Sequence, residues 1–444
     1  MKRWVFLLVL GAAIVIRICY IAYSPMYITT GDTVSYYLTA KKFIAEKTFV
    51  DQWRTPAYPL VLASPFLLRG KALPNEIFGV YIPELYVIRL AQAGLGVCTA
   101  LLIYFFSLHI GMSPGFAAIV SIFATSDVFL LRLEKALLTE TIALVWLYIS
   151  LFIMDRLIRS FRIVPFLGFV IFWLLGVSIR PSVVFIPIIA CTVLIFWHRN
   201  KRVLIACFLG MCLFVGGLYQ YAKLNEARDG YFGISRISDV NMWGVLLASG
   251  VPPHTFPDTE IGRMATVSYE PNERDPWEIF RRNPVLFDSS YASPFHKFTQ
   301  SMVVTQFGRY LRYVVSVIGS VVVYSTGVVV PESASTPYGA LFRFIDALYV
   351  KLAYMSFVPL IIFPLYLWIG SKKKSKRVYL IFYIMMVGWY QVLLTASMTY
   401  DDFGRHMIFV RGILFIATGS LLFRLVKDLS LFRLMRPVQK KDHV

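Results

Sequence analysis

Acidic residues are scarce in this 444-residue chain: 25 Asp and Glu stand against 44 Lys and Arg, a formal net charge of +19. Nucleic-acid binding is one function such a balance raises, but no RNA- or DNA-binding motif accompanies it. Cysteine is scarcer still. All five (Cys19, Cys98, Cys191, Cys207, Cys212) fall inside apolar segments, so no disulfide framework or zinc motif is indicated. There is no Asn-x-Ser/Thr sequon, and no internal repeat of the kind that marks the paired halves of many transporters. The centres of the long apolar runs are nearly free of charge, whereas an ion or proton relay needs ionisable groups at the membrane midplane. This weighs against a transporter.

Apolar side chains are what the chain has in excess. It is 58% hydrophobic and 16% aromatic, with a mean hydropathy of +0.66, too apolar for a soluble protein of this length. A bilayer-spanning helix needs about 20 apolar residues. Such stretches recur at 4–23, 85–108, 115–131, 136–154, 163–179, 181–197, 203–221, 346–369, 378–397 and 407–425. The expected fold is therefore all-α: a polytopic membrane helix bundle of ten spans, eleven if the apolar segment Leu311–Val330 also crosses. Cations in short loops fix the orientation. Lys2-Arg3, Arg156/Arg159/Arg162, Arg199/Lys201/Arg202, the run Lys372–Arg377 and the tail with Arg433, Arg436, Lys440 and Lys441 share one side when ten segments span, and that side is the cytoplasm. Counting Leu311–Val330 would move the lysine run and tail outside, so it reads as an interfacial or re-entrant helix. The N-terminal run is basic, then apolar, without a cleavage pattern, and reads as a retained anchor. A bacterial cytoplasmic membrane suits these features.

Two outer segments are too long to be turns. Residues 24–84 carry a helix-like stretch from Thr33 to Lys47 and the proline-punctuated Arg54–Leu68. Residues 222–345 are rich in Pro, Asp, Arg and aromatics and read as a cap over the bundle. The chain divides into an N-terminal membrane module (1–221) with its outer loop, the cap region (222–345), and C-terminal helices with a basic tail (346–444).

Ionisable residues collect at the outer ends of the spans: Arg17, Asp32, Arg54, Arg89, Glu134, Glu140, Arg180, Asp401, Asp402, Arg405 and His406. Each has an ordinary explanation. Asp32 can cap the helix after it, Arg17, Arg89 and Arg180 can snorkel to headgroups, Glu140 can favour a helix N-terminus, and Asp401-Asp402 can merely solvate a loop. Gathered at one depth, they describe a site at the membrane surface. That arrangement fits an enzyme.

The order of these elements resembles the GT-C glycosyltransferases, in particular the bacterial family 39 type that includes protein O-mannosyltransferases and the lipid A aminoarabinose transferase. The matching string is Arg17, Gly31-Asp32 with Tyr36-Tyr37, Arg54-Thr55-Pro56-Ala57-Tyr58-Pro59-Leu60, Arg89 with Gln92 and Gly94, Leu138-Thr139-Glu140-Thr141, Arg180-Pro181, and Gly404-Arg405. It covers roughly residues 1–200 and the last quarter. Many relatives carry Asp-Glu where this chain has Asp32-Thr33, and prolines usually follow the position of Arg405. Residues 222–345 match nothing in the family.

The resemblance implies a GT-C-like bundle with juxtamembrane helices in the first outer loop. It also implies an inverting transfer of a sugar from a polyprenyl-phosphate donor lipid to a hydroxyl on a glycan, lipid or protein acceptor at the outer, periplasmic face. Asp32 would act as general base. Arg54 and Arg405, with Arg180, Arg89 and Arg17, would hold the donor phosphate. Glu140, Tyr36, Tyr58 and Asp402 would orient substrate. No cofactor is implied, no metal ligand is assigned, and metal dependence is left open. The alternatives are an O-antigen ligase or polymerase, which relies on Arg and His in a late loop, and a lipid-linked-oligosaccharide transporter. A structural scaffold would leave the ordered matches unexplained.

Overall fold

The computed structural model describes residues 3–269, 275–323, 337–353, 376–398 and 411–420. Within them the chain is helical, and the sole β-type contact is an isolated parallel bridge between Ile28 and Ala136. In chain order the helices are α1 (Arg3–Tyr23), α2 (Gly31–Glu46), α3 (Ala57–Leu68), α4 (Pro83–His109), α5 (Pro114–Thr125), α6 (Val128–Lys135), α7 (Glu140–Arg159), α8 (Ile163–Ile179), α9 (Ile186–His198) and α10 (Lys201–Asp229). Then follow α11 (Ile237–Ala248), α12 (Glu260–Ser268), α13 (Glu278–Arg282), α14 (Ala292–Thr305), α15 (Phe307–Val323), α16 (Pro337–Ala353) and α17 (Lys376–Met398). Residues 411–420 form a further helical stretch.

Six of these segments are long and apolar enough to cross a membrane: α1, α4, α7, Pro181–His198, α10 and Tyr379–Met398. This is an integral membrane protein. The expected straight span at 115–131 is instead two helices, α5 and α6, meeting at a 55° bend. The break is local chemistry: the Asp127 side chain accepts the Phe129 N–H at 2.9 Å and starts a new helix. Segment 136–154 also begins later than its apolarity indicated, at Glu140, leaving Ala136–Thr139 outside the flanking helices.

Contacts fix which ends share a face. Arg228, at the end of α10, donates to Val50 O and Thr48 Oγ1, and Gln52 N donates to Asp229 at 3.2 Å. The ends of α1 and α10 therefore emerge together, at what we term the loop face. Thr33 Oγ1 donates to Leu137 O, and Glu140 pairs with Arg180, so α7 begins and α8 ends there too. The bent α5–α6 pair and the 17-residue α8 must then each carry the chain across the bundle. At the opposite face, Trp197 packs on Tyr379 with ring centroids 4.5 Å apart. That contact places the start of α17 beside the end of α9. α15 covers the first part of Leu311–Val330 and packs along α17, where Tyr310 donates to Ser397 O at 2.6 Å; residues 324–330 lie outside the described residues.

The main core is a continuous cluster through α4, α7, α8, α9 and α17, with Trp146, Trp173, Tyr148 and Tyr383 fully enclosed. Gly176 lies against the Trp146 ring, where a Cβ would stand 2.2 Å from Cζ2. A second, smaller core joins α11 to α14 around Trp243, Phe280, Phe295 and Phe298. α10 runs past the expected boundary at 221, to Asp229. At about 1.5 Å per residue its 29 residues rise further than the roughly 30 Å hydrocarbon core.

Candidate functional site

The site forms where two connections run side by side. Ile28 N donates to Lys135 O at 3.1 Å, and Gln92 of α4 donates to Leu138 O at 2.7 Å. These bonds hold the start of α2 against the start of α7, bringing Asp32 and Glu140 onto neighbouring backbone.

Asp32 does not cap its helix. Thr30 is the N-cap: its hydroxyl accepts the Thr33 N–H at 3.2 Å, and Thr33 Oγ1 accepts the Thr30 N–H at 3.1 Å, a reciprocal capping box. With the Thr33 N–H taken by Thr30, Asp32 stands in the first turn without serving as the cap, and its carboxylate still benefits from the positive helix end. Its side chain is 29% exposed and pairs with Arg54.

Arg54 is held on every side. Its Nε donates to Ser35 Oγ at 2.9 Å, its guanidinium lies 4.3 Å from the centre of the Tyr36 ring, and it is 7% exposed. Tyr36 meets Tyr58 edge-to-face at 5.0 Å, and both rings are buried. Tyr36 thus forms the wall behind Arg54. The turn that presents Arg54 is built by Asp51, whose Oδ2 accepts the N–H groups of Trp53 and Arg54, both at 3.0 Å, while Lys42 pairs with Oδ1 at 2.9 Å. Asp51, Ser35 and Trp53 were missed in the sequence. An Asp two residues before a turn's N–H is a readable signal of such a turn, but its link to Arg54 is tertiary.

The second acid–arginine pair is Glu140 with Arg180, 2.9 Å apart with side chains 0% and 8% exposed. Arg180 ends α8 and also donates from Nε to Ser182 Oγ at 3.0 Å. Glu140 therefore positions an arginine. The snorkelling explanation fails for all three arginines to which it applied, since each points inward. Arg17 bonds Glu134 at 2.6 Å and its own-helix Ala13 O at 3.2 Å. Arg89 bonds Ser24 O. Arg17 is thereby committed to a bundle-locking pair with Glu134. A similar pair, Arg411 with Asp127 at 3.0 Å, closes the α5–α6 bend. Asp402 and Arg405, with Asp401 and His406, lie outside the described residues. Among the described residues no three His, Cys, Asp or Glu side chains are grouped to hold a metal ion.

The cap grips the same turn from above. Trp53, next to Arg54, packs on Trp277, Phe280 and Phe287. Arg236 covers its other side at 4.7 Å and donates to Leu286 O at 2.8 Å. Burial lowers the Arg236 pKa to about 10. Deeper in the cap, the buried Asp239 accepts from Tyr231 at 3.1 Å and pairs with His296 Nδ1 at 2.8 Å. The Asp239 hydrogen bond raises the His296 pKa.

Such an arrangement offers a partly open carboxylate, a fixed guanidinium beside it, and a second buried ion pair on adjacent backbone. No family model matches the chain, and no curated protein does.

Proposed function

We propose that the chain is a membrane glycosyltransferase of the GT-C type, moving a sugar from a polyprenyl-phosphate donor to an acceptor hydroxyl at the loop face, which the short-loop cations orient outward. The observation that carries this reading is the Asp32–Arg54 pair, in which Asp32 is not the helix cap and is partly exposed. The acceptor oxygen attacks the anomeric carbon as the bond from that carbon to the phosphate oxygen breaks, with inversion. Asp32 takes the hydroxyl proton, and the bonding electrons leave with the polyprenyl phosphate. Neutralising Asp32 uncovers the charge of Arg54 just as negative charge grows on the leaving phosphate. The two halves of the transfer are thereby coupled electrostatically. Glu140 and Arg180 shape the adjoining wall.

The ligase or polymerase alternative draws on Arg236 and His296–Asp239 in the cap. Arg236, however, is enclosed by Trp53, Phe280 and Phe295, so its role is packing.

The test is Asp32→Asn. Purified protein is given a panel of polyprenyl-phosphate sugars and acceptor extracts, and release of polyprenyl phosphate is followed. The variant should remain in the membrane and lose about 10²–10⁴-fold in rate, the worth of a general base. Unchanged transfer by Asp32→Asn sinks the assignment.

A further inference from the structure

Arg17, Arg54, Arg180 and Arg411 each have an acid partner. A different set of cations has none, and it gathers at the end of α1. Ser24 is its focus: the carbonyl accepts from Arg89 of α4, and the hydroxyl accepts from Lys135 of α6. Arg132 lies one turn before Lys135 and is exposed. Both arginines are within electrostatic reach of Lys135. Among the described residues no carboxylate lies within ion-pair distance of any of the three. Glu134, between Arg132 and Lys135 in sequence, is taken by Arg17. Arg89 is 2% exposed, and its Nη1 has no hydrogen-bond partner. Three like charges brought together, one of them buried with an unused donor, form a stable arrangement when an anion joins them.

Depth narrows the anion. The 21 residues of α1 rise about 30 Å, the thickness of the hydrocarbon core. Ser24 therefore stands at the boundary where lipid phosphates lie.

We propose that Arg89 and Lys135, which meet on Ser24, together with Arg132 one turn before Lys135, form a binding site for a phosphate group carried at the bilayer surface. Of its three cations the resemblance assigned only Arg89, to the donor phosphate; the contacts that carry the site involve neither Asp32 nor Arg54. Lys135 and Arg132 form its open side, and Arg89 its floor. Three cations match a phosphomonoester, with its second negative charge, better than a diester.

The experiment uses the full chain in phosphatidylcholine nanodiscs doped with polyprenyl phosphate, phosphatidic acid or phosphatidylglycerol, with inorganic phosphate added in a separate arm. Bound lipid is counted by native mass spectrometry. Arg132→Gln and Lys135→Gln should each lower retention of the monoester lipids about tenfold, whereas Lys47→Gln, an exposed cation elsewhere, should not. Equal retention of phosphatidylglycerol assigns the site to any headgroup phosphate, and occupancy by inorganic phosphate alone assigns it to the soluble anion. Wild-type retention of all probes by both Arg132→Gln and Lys135→Gln overturns the site. Arg132 is exposed, so its variant keeps the test valid if Lys135→Gln fails to fold. Transfer is not measured, so a failed Asp32 assignment would leave this result untouched.

Discussion

Gly96 of α4 is bare because an ion pair occupies the space a side chain would need. A Cβ there would stand 2.1 Å from Glu134 Oε1 and 2.5 Å from Arg17 Nε, so Gly96→Ala must displace one or both groups by about an ångström to reach ordinary contact. The pair has nowhere to go: both side chains are 4% exposed, and they meet at 2.6 Å. Overpacking alone costs about 1–3 kcal/mol, and a buried charge that loses its partner costs about 3–5 kcal/mol. Gly96→Ala should fall between, near 3 kcal/mol. Unfolding in detergent, followed by chemical denaturation, reads this directly. A cycle isolates the cause: in an Arg17→Met/Glu134→Leu background, Ala at 96 should cost less than about 1 kcal/mol, because no charge remains to be separated. An equal cost in both backgrounds would refute the account, as would no cost in the parent.

Three further outcomes follow from the cap and the topology. The His296 pKa is raised in the folded state by Asp239. The stabilisation from this pair is therefore complete below the unfolded value of about 6.5 and is lost as pH rises through the folded value; the stability gap between the parent and His296→Asn should be widest near pH 5.5 and close at alkaline pH, and a gap that widens with pH would contradict the pairing. Trp53→Ala removes the ring shared by Arg236, Trp277, Phe280 and Phe287; hydrogen exchange should accelerate across α11 to α14 and leave α4 and α7 protected, with a local cost of about 3–5 kcal/mol. A reporter fused after Ser371 should signal from the cytoplasm, because Trp197 holds the start of α17 at the face of Arg199 and Arg202; an external signal would reverse the orientation on which the site's outward placement rests.

What the sequence determined by itself was set by short-range physics. A run of apolar residues must satisfy its backbone internally in lipid, so α1, α4, α7, α10 and α17 were legible as helices from composition alone. The Thr30–Thr33 box was equally local, being written within four consecutive residues. The 55° break at Asp127 sat inside a segment that hydropathy averages into one span, because a single capping carboxylate barely changes the mean.

Only the tertiary structure decided which charges meet. Sequence placed Arg17, Arg54, Arg89 and Arg180 at similar depth but could not rank them, since an arginine's partner lies on another helix. Folding gave Glu134 to Arg17, Asp32 to Arg54 and Glu140 to Arg180, separations of 117, 22 and 40 residues, and gave Arg89 a backbone carbonyl and the Tyr86 ring but no carboxylate among the described residues. Burying a charge is costly unless it is paired, so the three-dimensional pairing separates an arginine that locks the bundle from one able to meet a substrate. Propensity fixes the helices one at a time, and the allocation of charge among them exists only once they are packed.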